Sequence, residues 1–146
     1  MGWTVEKWGD TGMPVTNYRM CIVRDVVKRF VSGYTNRVIF HAQTRNTPTF
    51  DDFVENFEDI RKTEGDINLH LAPQTDFIGK DPTFFSHVFN TEEFEEVFKF
   101  FEDVYSRKFP RFRLQQGGNN LGVVPTPKQA ERIREYFKED CDIWNL

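Results

Sequence analysis

The chain has 146 residues, the size of one ordinary domain, with 29 % of them charged, sixteen Phe and a mean hydropathy of -0.60. A net charge of -4 argues against bulk nucleic-acid binding, and no apolar run approaches the roughly 18 residues that span a bilayer. The amino terminus, MGWTVEKWGD, has no hydrophobic leader stretch. Cys21 and Cys141 stand far apart without metal-ligand spacing, which points to a reducing, cytoplasmic setting and leaves a disulfide between them open.

Residues 1–17 hold Gly, Pro and Asn with two Trp and no period, so they read as an irregular lead-in to one domain over 18–146. Met20-Cys21-Ile22-Val23 is long enough for a buried strand, Arg24 sits at its end, and Asp25 suits a helix N-cap. Val27, Phe30, Val31, Tyr34 and Val38 then recur at the spacing of one helical face, which predicts a helix to about His41. A second face carries Asp25, Lys28, Arg29, Ser32 and Asn36. Polar turn residues fill 43–48, and Thr49 caps a helix with Phe50, Phe53, Val54, Phe57 and Ile60 inward, broken at 62–66. Residues 67–90 read as loops around Pro73, Gly79 and Pro82 with a brief strand at 87–89. Asn90 with Glu93 is a capping-box signature ahead of an amphipathic helix through Phe94, Val97, Phe98, Phe101, Val104 and Tyr105. Residues 107–120 are irregular, and Thr126, Pro127 and Gln129 begin a last helix with Ala130, Ile133 and Phe137 inward. Strands alternating with helices predict an α/β fold with a mostly parallel sheet, although only two or three strands are visible. The Phe residues fall mainly at helical spacings and read as core.

Charge is unevenly placed. Residues 18–46 hold Arg19, Arg24, Lys28, Arg29, Arg37 and Arg45 against Asp25 alone, a basic island in an acidic chain. Such an island fits a compact anion such as a nucleotide better than a long polyanion. A strand, a basic turn and a helix with a hydroxyl two turns in suit anion binding, because the helix start offers N–H groups and a positive dipole end. An ordinary βα unit with solvated arginines is the plainer alternative.

The stretch RDVVKRFVSGY, residues 24–34, resembles the 3′-phosphate-binding motif of the sulfotransferases, in particular the carbohydrate and membrane-type branch. That motif runs Arg, Asp or Asn, Pro, two variable positions, Arg, an apolar residue, any residue, Ser, any residue, Tyr. The resemblance implies that Arg24 and Ser32 hold the 3′-phosphate of the donor 3′-phosphoadenosine 5′-phosphosulfate (PAPS), with no metal. Val26 stands where the motif has Pro, which loses preorganisation of the first helical turn but removes no ligand. The implied fold is a parallel sheet flanked by helices, related to the P-loop nucleotide kinases. The implied activity is transfer of a sulfuryl group to a hydroxyl, on a carbohydrate acceptor.

Further matches are weaker. Asp66 to Gly79, DINLHLAPQTDFIG, resembles a segment that follows the phosphate motif in this family, which makes His70 a catalytic-base candidate and Gln74 a substrate-binding candidate. A structural His beside a Pro turn is the plainer reading of His70. Asn119 or Asn120 with Tyr136, Asp140 and Trp144 resembles the family's tail, and Arg111 and Arg113 read as loop arginines within reach of the donor. The Lys-bearing turn that grips the 5′-phosphosulfate has no counterpart before Tyr18: DTGMP at 10–14 lacks the Lys, and QGGNN at 116–120 lies far downstream. The expectation is a copy incomplete at its amino-terminal end, which binds the donor without turning it over and self-associates through an open strand edge. A non-catalytic nucleotide- or protein-binding module on the same fold is the alternative. A phosphate-transferring kinase would need a Walker-type loop that the sequence does not contain.

Overall fold

The computed structural model describes residues 18–111 and 122–146. Strand β1, Met20–Val23, pairs in parallel with β2, His87–Asn90, with Met20 opposite His87 and Val23 opposite Asn90. Successive side chains alternate across such a pair. Cys21 and Val23 therefore share one face, where Trp144 buries against them and Phe85 and Ile78 pack alongside. His87 and Phe89 take the other face, their rings 4.4 and 5.9 Å from that of Phe100. Helices thus cover both faces of a small parallel two-stranded sheet, and the described fold is α/β. Cys21 and Cys141 are free thiols, and burial pushes the Cys21 thiol up to about 11. Among the described residues no helix is long and apolar enough to cross a membrane.

Helix α1, Val26–Gly33, begins where the sequence predicts, with the Asp25 side chain accepting the Lys28 N–H. Val26 replaces a Pro but is itself buried in the core, so its side chain contributes burial where Pro would contribute rigidity. Past Gly33 the helix widens into a π-helical segment, Tyr34–Phe40, closed by the His41 N–H donating to the Asn36 carbonyl at 3.0 Å. Val38 stays fully buried through that change of pitch. A Cβ on Gly33 would collide with the Leu71 side chain, so this glycine is what lets the helix approach so closely.

The predicted helix from Thr49 is two: α2, Phe50–Glu55, and α3, Phe57–Thr63, meeting at Asn56. The stretch read as loops holds two further short helices, α4, Gly65–His70, and α5, Thr75–Ile78. Ile67 and Leu71, one turn apart, bury there against α1. Phe30, Phe53, Phe57 and Phe137 form the aromatic centre of the core, with Phe30 4.9 Å from Phe57 and 5.2 Å from Phe53 between ring centroids. Phe40, Phe77, Phe84 and Phe94 are exposed, so the reading of Phe as core holds only in part.

Helix α6, Phe94–Tyr105, follows a half-formed capping box: the Asn90 N–H donates to Glu93, but the Asn90 side chain accepts from Glu92 instead. Helix α7, Pro127–Tyr136, has the complete box, with Thr126 and Gln129 exchanging backbone hydrogen bonds. Helix α8, Lys138–Trp144, completes the chain.

In α6 the buried Glu102 gathers Lys108 at 2.9 Å, Arg111 at 2.5 Å and the Phe109 N–H at 3.1 Å. The Arg111 and Lys108 side chains and that N–H hold its carboxyl at about 2, against an ordinary 4.5. Between those values the unfolded chain binds more protons, so this contribution to stability is complete above pH 4.5 and fades as pH falls toward 2. Glu102→Gln should therefore flatten the fall of Tm with acidification in that window, read by circular dichroism. An unchanged acid limb would locate the sensitivity elsewhere.

Candidate functional site

The site is built where β1 ends and α1 begins. The Gln74 side chain spans the Arg24 main chain: the Arg24 N–H donates to Gln74 Oε1 at 2.9 Å, and Gln74 Nε2 donates to the Arg24 carbonyl at 2.8 Å. Arg24 is half-buried, and burial lowers its pKa while Asp25 opposes that shift. Its guanidinium joins no ion pair with the described residues. Ser32 is half-buried, and its hydroxyl likewise bonds to none of them. Arg24, Lys28 and Ser32 follow at intervals of four, one face of the turn and helix. Lys28 is paired with Glu92, just beyond β2. Because Asp25 already takes the Lys28 N–H, the helix start is partly capped, and the Val26 and Val27 N–H groups are its amides without an acceptor among the described residues.

Arg29 and Tyr34 do different work. Arg29 Nη2 donates to the His70 carbonyl at 3.2 Å, and its guanidinium lies 6.0 Å from the Phe137 ring. Burial lowers its pKa, with Asp140 opposing. The Tyr34 hydroxyl donates to the Pro48 carbonyl at 2.9 Å. Arg29 fastens α1, and Tyr34 the π-helical segment after it, to their surroundings.

His70 ends α4 and is exposed. Desolvation and then the charge of Arg37 lower its pKa, with Asp66 opposing and His41 adding to the fall. The imidazole is thus neutral near pH 7, the form that accepts a proton. Its carbonyl, which accepts from Arg29, links it to the Arg24 neighbourhood.

The sequence model of the sulfotransferase family matches residues 4–145. The chain belongs to the sulfotransferase family. No curated protein and no solved structure matches it.

In this sulfotransferase chain the predicted tail residues separate by role. The Tyr136 hydroxyl donates to the Val54 carbonyl at 2.8 Å, and Trp144 packs on β1. Asp140 is fully buried and accepts the Gln74 N–H at 2.7 Å and the Thr75 N–H at 2.9 Å. Arg111 is held by Glu95 and Glu102 and lies over the Phe98 ring, so it is tied to α6 instead of standing as a loop arginine. Arg113, Asn119, Asn120 and both candidate phosphate turns, 10–14 and 116–120, lie outside the described residues. His41 is exposed, and His87 Nδ1 pairs with Ser86 Oγ at 2.9 Å against the Phe100 ring. No group of three or more His, Cys, Asp or Glu is arranged for a metal ion among the described residues. The link from Asp140 through Gln74 to Arg24 was not readable in the sequence; the tail resemblance pointed to Asp140 but gave it no task.

Proposed function

We propose that the chain binds PAPS through Arg24 and Ser32 and serves sulfuryl transfer to a hydroxyl of a carbohydrate acceptor. One observation carries the reading: Arg24 has a clamped main chain and, among the described residues, a guanidinium without an ion pair, with a Ser32 hydroxyl that bonds to none of them two turns along the same face. Such a donor set suits a phosphate dianion, since guanidinium offers a planar fork and a hydroxyl a further donor. The donor, when bound, supplies an activated sulfuryl group. Arg24 and Ser32 orient it, and neutral His70 is the proposed base for the acceptor proton. Gln74 was assigned to the acceptor; its amide is engaged on Arg24, which favours a role in holding Arg24.

The test is calorimetry with adenosine 3′,5′-bisphosphate and adenosine 5′-monophosphate: the bisphosphate should bind more tightly, and equal affinity sinks the reading. A non-catalytic nucleotide-binding module on the same fold is the second reading, which a bisphosphate preference without turnover would favour. In sulfuryl-transfer assays kcat should rise with pH to a plateau, with an apparent pKa below the ordinary His value, the deprotonated imidazole being the active form. His70→Ala should then lower kcat with donor KM little changed. A wild-type pH profile in His70→Ala would remove His70 from the mechanism.

A further inference from the structure

Asp140 is a buried carboxylate for which the transfer reaction itself has no use. It lies in α8, yet its oxygens are taken by the Gln74 and Thr75 N–H groups, 66 and 65 residues away in sequence. Stripping water from a carboxylate is costly, and an apolar residue of like volume often serves packing as well or better. The two amide donors at the start of α5 and the charge of Arg29 offset that cost here. What the arrangement fixes is Gln74. With its main chain held by Asp140, the Gln74 amide is placed to grip both the N–H and the carbonyl of Arg24. The backbone from which the Arg24 guanidinium projects is thereby set from the far end of the chain.

We infer that Asp140 is a positioning residue for the 3′-phosphate site, acting on Arg24 through Gln74. The inference rests on the reading of Arg24 as a phosphate ligand. Direct contact between Asp140 and a nucleotide is excluded by its 0 % exposure, and a carboxylate would repel phosphate. Its effect is preorganisation: a long, flexible side chain loses less freedom on binding when its backbone is already fixed.

The experiment measures the affinities of the whole chain for adenosine 3′,5′-bisphosphate and adenosine 5′-monophosphate, in wild type and in Asp140→Asn. Asn keeps the volume and one acceptor but turns an amino group toward the second N–H. The ratio of the two affinities should fall about tenfold, with monophosphate binding and far-ultraviolet circular dichroism unchanged. A purely structural role would weaken both nucleotides alike and leave the ratio intact, so a folded Asp140→Asn with the wild-type ratio overturns the inference. Should that variant fail to fold, Gln74→Met carries the test, because it removes the grip on Arg24 and leaves Asp140 with its amide donors. It too should lose the ratio, and retention overturns the inference. A wild-type ratio of one defeats the phosphate reading of Arg24 and this inference together. A wild-type preference that survives both variants removes the positioning role alone.

Discussion

Arg24→Ala should cut the preference for adenosine 3′,5′-bisphosphate over adenosine 5′-monophosphate by about 10- to 150-fold, the worth of a charge-assisted contact of roughly 1.5–3 kcal/mol. The guanidinium is half-buried and unpaired among the described residues, so little protein structure is disturbed by its removal. The Gln74 grip is on the Arg24 main chain and survives the substitution. Tm should accordingly shift little, and affinity for the monophosphate should hold, since it has no 3′-phosphate to lose. Arg24→Lys should recover only part of the loss, because an ammonium supplies the charge without the planar fork. A variant that binds both nucleotides as the wild type does would show that Arg24 holds no 3′-phosphate.

What the sequence made legible was local. β1 and the caps at Asp25, Thr49 and Thr126 are set by side chains within a few residues, and each appears where its pattern places it. The parallel partner at 87–89 was visible as a short apolar run, and the structure extends it by Asn90. Helices α4 and α5 were not visible. Neither exceeds two turns, and such helices depend on tertiary contacts, here Ile67 and Leu71 in the core and Asp140 at the start of α5. The π-helical segment had no signal either, because apolar spacing does not distinguish the two pitches over so few residues. At the site the same division holds. Arg24 and Ser32 came from a contiguous motif, whereas the Gln74 grip and its Asp140 support join segments 50 and 66 residues apart. No short-range pattern encodes that.

The larger stability effect is expected at Phe30. Its side chain is fully buried in α1, and the rings of Phe50, Phe53, Phe57 and Phe137 surround it with centroids 4.9 to 6.3 Å away. Phe30→Ala leaves a cavity that these rings can close only by leaving their own positions, since they are held by α2, by α3 and by the junction of α7 and α8. The loss combines transfer and cavity terms at about 3–5 kcal/mol, against a total of about 5–15 kcal/mol for a domain of this kind. Urea unfolding followed by circular dichroism should show a lower midpoint at a similar slope, which marks lost stability in place of a changed unfolded state. Phe77→Ala is the matched control: that ring is 47 % exposed, and its removal should cost well under about 1 kcal/mol. Because Phe30 anchors α1, which carries Ser32 and begins just after Arg24, loosening it should also weaken nucleotide binding, which Phe77→Ala should not. If Phe30→Ala and Phe77→Ala proved equally mild, the aromatic cluster would not be the core that holds the phosphate helix in place.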